Sequence, residues 1–458
     1  MIMKAGFAER EYTPAEGSVP GQILENYAVG RDTPLMAHVA MIESDGVGTA
    51  LIQLDILFVS TDFATKIRNK VSQMTGYPFE NVWVTCSHSH TSCAIDHDVW
   101  AFKGKPEYVD PIEEKIMEAV AAARENMVDV KLGVGTGYDA RYNFCRDFYT
   151  TDGYIVMNPS KDMAGKLVKP YAAVDHTVNV MRIEDLEGKP RCFIVNFANH
   201  LDTNRSKAKF DADFPGWMRL ALQREYGEDV AVLFLNGCCA NINHIDFLNY
   251  SHKETSCRPE SFPPREIGEG LAQTVLSIQN QIYTRDGEIN IQGLSRSYPT
   301  VRRRASAEDI AWAKELKAKR AAGETVRDHY DLLADMYLKE EQTPPPTTVD
   351  FGIHVLQIGP WTIVGLPGEI YSDIGLKIKA NSPYANTIVV EIANGYFGYV
   401  SPDIIQHSRC YEGRYSMVAY TGLGAEKVLI DGSANMLHAL FDADNVKYFG
   451  TVKPDMRG

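Results

Sequence analysis

The stretch TALIQLDILFVSTDFATKIRNKVSQMTGYPFENVWVTCSHSH (residues 49–90) contains two apolar runs separated by a segment of helical periodicity. Residues 49–60 and 81–87 are apolar runs rich in β-branched side chains, and such runs predict buried strands. Between them, in residues 61–76, apolar side chains recur every three or four positions, which is the period of a helix with one buried face. A strand, a helix and a second strand in succession indicate an α/β unit.

The same alternation recurs along the chain. Apolar runs that predict further strands lie at 191–199, 229–237 and 386–395. Helical periodicity recurs at 110–127 and 214–227. Strands that alternate with helices in this way favour a protein of the α/β class.

The segment from about 305 to 342 differs from the rest because it is helical in pattern and strongly charged, and it ends at the proline run TPPPTT. We interpret it as a helical insertion. After it β character returns, with a tight hairpin turn at Gly359-Pro360, and a final helix is expected from about 424 to 441. No separable C-terminal module is marked, so residues 1–458 are predicted to form one domain.

Composition argues against several classes of protein. A hydrophobic fraction of 45% and a charged fraction of 23% are typical of a folded globular chain. A formal net charge of -14 would repel phosphate backbones, so no nucleic-acid partner is expected. The opening MIMKAGFAER has no apolar core of signal-peptide length, and no apolar run is long enough for an integral membrane segment, so a cytoplasmic protein is expected. The cysteines form no CxxC pair, and most are expected to be buried thiols.

The motif TCSHSHTS (85–92) is the sharpest local feature. Side chains alternate along an extended strand, so His88 and His90 point to the same side, where one metal ion or one substrate could meet both. The same pair could also lie at a strand end and be satisfied by ordinary hydrogen bonds.

Other candidate residues also follow predicted strands. His200 closes one strand and Glu369 follows another, and the carboxyl ends of strands are where α/β sheets place their sites. Alone, either residue could be a solvated loop histidine or a glutamate stabilised by a helix dipole. Tyr396 and Tyr399 follow the last strand and could donate hydrogen bonds, ligate a metal or simply pack.

Six motifs in order resemble those of the catalytic domain of the neutral/alkaline non-lysosomal ceramidases and their bacterial relatives. They are TCSHSHTS, NFANH (196–200), DADFPG (211–216), FLNGCCANIN (234–243), GLPGE (365–369) and NGYFGY (394–399). The likeness extends from AGFAEREYTP near the start, through ARYNFCRD, to CYEG and the last helix. It implies a layered sandwich of mixed β-sheets flanked by helices. The C-terminal immunoglobulin-like domain of the true ceramidases has no counterpart in this sequence.

The resemblance also implies a zinc site and the residues around it. In the family a catalytic zinc ion is held by two histidines, a glutamate and a tyrosine, which fall on His88, His200, Glu369 and Tyr399. Imidazole and carboxylate ligands independently suit Zn²⁺. The residues that line the family's substrate pocket fall on His90, Arg146 and Tyr411.

The sequence departs from the true ceramidases at two places that matter for the substrate. Asn243 stands where the family has the serine proposed to act in amide cleavage. The segment after the histidine pair reads HTSCAID (90–96) instead of the family's glycine-rich form. Both differences argue against recognition of a long-chain sphingolipid, so a true ceramidase is not expected.

We therefore predict a zinc-dependent hydrolase that cleaves an amide or ester bond, including a lactone, in a small polar metabolite by metal-activated water. His90 is the candidate for proton transfer or oxyanion binding, Arg146 and Tyr411 for substrate orientation, and Asn243 for one hydrogen bond. Three alternatives remain open at this point: a metal-dependent ligand-binding protein without turnover, a phosphoester hydrolase, and a residual N-acylsphingosine amidohydrolase.

Overall fold

The computed structural model describes residues 3–19, 26–93, 106–204, 208–248, 262–408 and 410–449. It has the predicted α/β architecture, in which two mixed β-sheets pack against each other and helices cover their other faces. Residues 94–96 of the segment HTSCAID, and Cys257, lie outside the described residues. The seven cysteines within the described ranges are buried free thiols.

The larger sheet has eight strands. In spatial order they are Ala231–Asn236, Pro190–Phe197, Thr177–Asp185, Val128–Tyr138, Lys4–Glu11, Met36–Ser44, Val47–Leu54 and Val82–Cys86. The two outermost pairs are parallel and the inner pairs are antiparallel. Each parallel pair is connected through a helix, Thr61–Thr75 at one edge and Asp213–Tyr226 at the other, as the strand–helix–strand pattern predicts.

The smaller sheet has four strands. In spatial order they are Ile291–Val301, Thr348–Ile358, Trp361–Leu366 and Thr387–Glu391. The second and third strands form a hairpin in which Ile358 pairs with Trp361 across Gly359-Pro360. The shorter described strands are Gly17–Val19, Asn26–Ala28, Phe144–Cys145, Asp147–Thr150, Ile155–Met157, Leu167–Pro170, Ile242–Asn243, Glu369–Ile370 and Tyr399–Val400.

The interface between the two sheets is one apolar cluster. It joins Leu51 and Trp83 of the larger sheet to Leu356 and Ile388 of the smaller one, and all four side chains are almost completely buried. Gly365 makes this contact possible, because a Cβ atom at that position would lie 2.5 Å from a ring carbon of Trp83. The packing of the sheets therefore depends on a glycine opposite a tryptophan.

Helices cover the remaining sheet faces because their apolar stripes match the outward-facing strand residues. The described helices are Thr61–Thr75, Pro106–Glu125, Asp213–Tyr226, Pro264–Gln279, Ala307–Ala321, Asp328–Gln342, Ser372–Ala380, Asp403–Gln406 and Ala425–Phe449. On the larger sheet, for example, Phe214 and Leu271 pack against Val195. Within the described part of the chain, no helix combines the length and the apolar character needed to cross a bilayer.

Two of these helices, Ala307–Ala321 and Asp328–Gln342, occupy the segment interpreted as an insertion. They connect two neighbouring antiparallel strands of the smaller sheet and pack against each other through Ala313 and Leu333. The Tyr337 hydroxyl donates a hydrogen bond to the Tyr415 carbonyl oxygen at 2.6 Å. The helical pair is thus attached to the segment that follows Tyr411.

Candidate metal centre

Three histidines meet where strands of the larger sheet end. His88 follows the strand Val82–Cys86, and His200 follows the strand Pro190–Phe197. Each of His88, His90 and His200 offers one ligand atom, and these atoms lie within 4.8 Å of one another. His88 and His200 are buried, whereas His90 is partly exposed and therefore faces the more open side of the cluster. The structure thus brings His200 next to His88 and His90, from which it is separated by more than a hundred residues in the sequence.

The orientation of His88 is set by an unusual backbone conformation. Its φ angle is 79°, in the left-handed region that costs energy for a residue with a Cβ atom. The conformation is held because the His88 N–H donates to Ile56 O at 2.9 Å and the Ser87 N–H donates to Leu54 O at 2.9 Å. His88 Nδ1 lies 3.0 Å from Leu57 O, which can only accept, so Nδ1 carries a proton and Nε2 faces the cluster. Burial opposes protonation of Nε2, but Glu369 outweighs burial and raises the pKa of His88 in the metal-free protein.

His200 is oriented in a similar way. The ring atom Nδ1 lies 3.5 Å from the Cys239 carbonyl oxygen, and the backbone N–H of His200 donates to Asn199 Oδ1 at 2.9 Å. Burial, Arg146 and the two neighbouring histidines together hold the pKa of His200 well below its usual range. A neutral imidazole with a protonated Nδ1 is the form that can ligate a metal through Nε2.

Glu369 supplies a carboxylate to the same cluster. Its Oε2 lies 3.3 Å from His88 Nε2, and its Oε1 accepts a hydrogen bond from the Tyr396 hydroxyl at 2.6 Å. Burial alone would raise the pKa of Glu369, but the His88 charge and the hydrogen bonds from Tyr396 and Tyr399 outweigh burial and lower the pKa to about 2. The carboxylate is therefore ionised at any physiological pH.

Two buried atoms at this point support a cation site. His88 Nε2 and Glu369 Oε2 have no hydrogen bond of good geometry within the described structure, although they are close enough for an ion pair. In the metal-free protein these two atoms face each other as an ion pair, and a cation bound to both would also satisfy them. Imidazole nitrogen and carboxylate oxygen are ligands that Zn²⁺ accepts, and the residues present therefore fit a zinc ion.

Tyr399 and Arg146 border the carboxylate. Tyr399 is the register partner of Glu369 in a two-residue parallel ladder, which fixes the two side chains next to each other. An Arg146 terminal nitrogen lies 3.4 Å from the Tyr399 hydroxyl, and Arg146 Nε donates to Glu412 Oε1 at 2.9 Å. The Tyr411 ring centroid lies 5.7 Å from that of Tyr399, and the Tyr411 side chain is 44% exposed, so Tyr411 lies at the rim.

Asn243 lies on the Arg146 side of the site. It pairs with Phe144 in a short antiparallel ladder, and the Arg146 N–H donates to Asn241 O at 2.9 Å. The Asn243 amide donates to the Asn158 side chain at 3.1 Å. The backbone of Asn243 therefore runs next to the segment that carries Arg146.

Some residues of the site were missed by the sequence reasoning. Glu412 forms an ion pair with Arg146, whereas in the motif CYEG the sequence predicts only the neighbouring Tyr411 as a site residue. Tyr396 was noted but not chosen, although its hydroxyl contacts Glu369. An acidic residue next to a chosen pocket tyrosine was the available signal for Glu412.

A cleft of about 500 Å³ lies elsewhere on the molecule, between the strand Val128–Tyr138 and the helix Pro264–Gln279. Its charged lining residue, Arg141, is already paired with Asp139 at 2.7 Å. None of the candidate site residues lines this cleft. The chemistry described above therefore belongs to the strand ends and not to this cleft.

No protein-family model matches the chain, and no curated protein matches it. Among solved structures, neutral ceramidase from Pseudomonas aeruginosa is similar, with a TM-score of 0.71 and 16% identity over 97% of this chain and 75% of that one. A ceramidase complexed with C2 also has a TM-score of 0.71, with 15% identity over 97% of this chain and 76% of that one. The expected likeness is confirmed at the level of the fold: this chain has the fold of the neutral ceramidases.

Proposed function

We propose that the protein is a zinc-dependent hydrolase that cleaves an amide or ester bond, including a lactone, in a small polar metabolite. The observation that carries the proposal is the convergence of three histidines and an ionised glutamate at one buried point, with two facing atoms left without hydrogen bonds. The ceramidase fold supports a hydrolase, although fold alone does not fix a reaction.

His88, His200 and Glu369, together with Tyr399, would hold the metal ion. When bound, zinc supplies Lewis-acid chemistry, in that it acidifies water and polarises a carbonyl group. Such chemistry needs no protein nucleophile, so asparagine at position 243 is compatible with catalysis.

The chain's own residues have distinct tasks around this centre. His90 is partly exposed and lies beside the two buried histidines, so its imidazole can move a proton between the reacting groups and solvent. Glu412 fixes the Arg146 guanidinium next to Tyr399, where it can orient a polar oxygen of the substrate. The Asn243 amide can donate one hydrogen bond from the Arg146 side.

The side chains around the metal centre support a small polar substrate. Tyr411 is half-exposed and offers a hydroxyl as well as an aromatic face. Arg146 and Asn243 add further polar donors. A substrate that matches these donors is a small metabolite with a carbonyl group flanked by further polar groups.

The test is turnover by purified protein on separate pools of amides, lactones and phosphoesters, with and without chelator. We expect turnover in the amide or lactone pool that chelator removes and added Zn²⁺ restores. Asn243→Ala should cost about 10² to 10³ in rate, the usual effect of losing one oxyanion donor. His88→Ala should cost far more, because it removes a metal ligand. His329→Ala, an exposed histidine in the helical insertion, is the control and should leave the rate unchanged.

The same experiment identifies the competing functions. Ligand binding without turnover of any pool by the zinc-loaded protein would show a binding protein. Turnover confined to the phosphoester pool would change the bond that is cleaved. A loss in Asn243→Ala as large as that in His88→Ala, with zinc content and fold intact, would overturn the role of metal-activated water.

A further inference from the structure

Glu391 is a completely buried carboxylate at the end of the strand Thr387–Glu391, close behind the candidate metal ligands. We infer that Glu391 is a positioning residue of the metal centre, which connects the backbone segment that contacts His200 to the segment that carries Glu369. The inference rests on the proposed metal site and extends it to a residue that contacts none of the proposed ligands through its own side chain.

Three donors converge on this carboxylate. Its Oε2 accepts from the Cys239 N–H and from the Ile370 N–H, each at 3.0 Å. Its Oε1 lies 2.9 Å from the Cys239 thiol, which donates. One side chain thereby ties the loop after the strand Ala231–Asn236 to the segment after the strand Trp361–Leu366.

Each of these contacts leads to a proposed ligand. The carbonyl oxygen of Cys239 faces His200 Nδ1 at 3.5 Å and selects the tautomer that leaves Nε2 for the metal. Ile370 directly follows Glu369, so a fixed Ile370 N–H also fixes the Glu369 backbone. Outer contacts of this kind orient metal ligands and commonly change metal affinity when they are lost.

The choice of a carboxyl group at position 391 adds a second argument, because burial raises the pKa of Glu391 to about 7 and a nearby cation would favour its ionised form. A buried carboxylate is costly unless it is paired, and its hydrogen-bond partners in the described structure are two backbone amides and a thiol, with no lysine or arginine among them. A neutral glutamine would satisfy the same backbone amides at lower cost. A negative charge at this position is favourable when a positive charge lies nearby, as a bound divalent cation would.

The test compares Zn²⁺ affinity, measured by competition with a chromogenic chelator, in wild-type protein and in Glu391→Gln, which keeps the shape and removes the charge. Glu184→Gln is the matched control. Glu184 is also buried, and it lies opposite Pro190, at the end of the neighbouring strand that is far from His200. We expect Glu391→Gln to weaken Zn²⁺ binding about 10-fold to 100-fold and to shift the visible absorption of the Co²⁺-substituted protein, and the control to do neither.

Cys239→Ala provides a second variant if Glu391→Gln does not fold. It removes one donor and leaves the carboxylate and both backbone amides in place, so a loss of about fivefold in Zn²⁺ affinity is expected. Wild-type affinity and an unchanged Co²⁺ spectrum in the folded variants would overturn the inference and leave the proposed metal site intact. Wild-type protein that binds no Zn²⁺ would overturn both.

Discussion

Replacement of Glu369 by glutamine should destabilise the metal-free protein. Glutamine resembles the protonated form of glutamate, and this site strongly prefers the ionised form, because His88 and two tyrosine hydroxyls outweigh the effect of burial on the pKa. The variant therefore loses the free energy by which the folded protein favours the carboxylate. Removing a functional group often stabilises an enzyme, so this expectation is specific to the arrangement seen here.

The size of the effect follows from the pKa of Glu369, which falls from 4.5 to about 2 on folding. One pKa unit corresponds to about 1.4 kcal/mol, so the carboxylate contributes about 3 kcal/mol to the free energy of unfolding. Because the pKa is lowered in the folded state, this contribution is fully present above pH 4.5 and is lost as the pH falls towards 2. The difference between wild type and Glu369→Gln should be largest near pH 6 and shrink below pH 4.5.

The assay is urea denaturation of chelator-treated protein at pH 6 and at several lower pH values. Tyr396→Phe is the comparison, because it removes one hydrogen bond to the same carboxylate and should cost about 1.5 kcal/mol. A Glu369→Gln variant that is as stable as wild type at pH 6, or a difference that does not shrink on acidification, would refute the ion pair between Glu369 and His88.

Three further predictions concern the fold, a buried charge network and the substrate. Gly365→Ala places a methyl group against Trp83 and should lower the free energy of unfolding in urea by about 1 to 3 kcal/mol; unchanged stability would contradict the packing of the two sheets. Burial opposes protonation of His38, but Asp55 and Glu9 outweigh burial and raise the pKa of His38. The stabilising contribution of protonated His38 is therefore present below pH 6.5 and is lost as the pH rises through the pKa of the folded protein. In urea denaturation, the loss of stability caused by His38→Gln should become smaller from pH 6 to pH 9. A loss that grows over this range would contradict the raised pKa. Long-chain ceramide should be turned over far more slowly than about 1 per second, as measured by release of fatty acid. A rate at or above that value would contradict the expectation that the protein is not a true ceramidase.

The local elements could be predicted from the sequence because their patterns are local. The period of apolar residues placed a helix at 61–76, and the structure has it at Thr61–Thr75. The expected hairpin at Gly359-Pro360 joins the strands that end at Ile358 and begin at Trp361. His88 and His200 were expected after strands, and in the structure they follow the strands Val82–Cys86 and Pro190–Phe197.

The parts that could not be predicted depend on contacts between distant segments. Nothing in the sequence near His88 indicates its left-handed backbone, which is held by carbonyl groups of residues 54–57. The pairing of Arg146 with Glu412 joins residues 266 positions apart. Glu391 lies within an apolar run of the sequence, and two of its three donors are backbone amides, which leave no mark in the choice of side chains.

If His88 and His200 hold one metal ion, the zinc content of the purified protein must depend on both residues. After chelator treatment and reloading with Zn²⁺, wild-type protein should carry about one zinc ion per chain, as expected for a single mononuclear site. The folded double variant His88→Ala/His200→Ala should carry none. Stoichiometric zinc in that double variant would contradict the assignment of His88 and His200 as metal ligands.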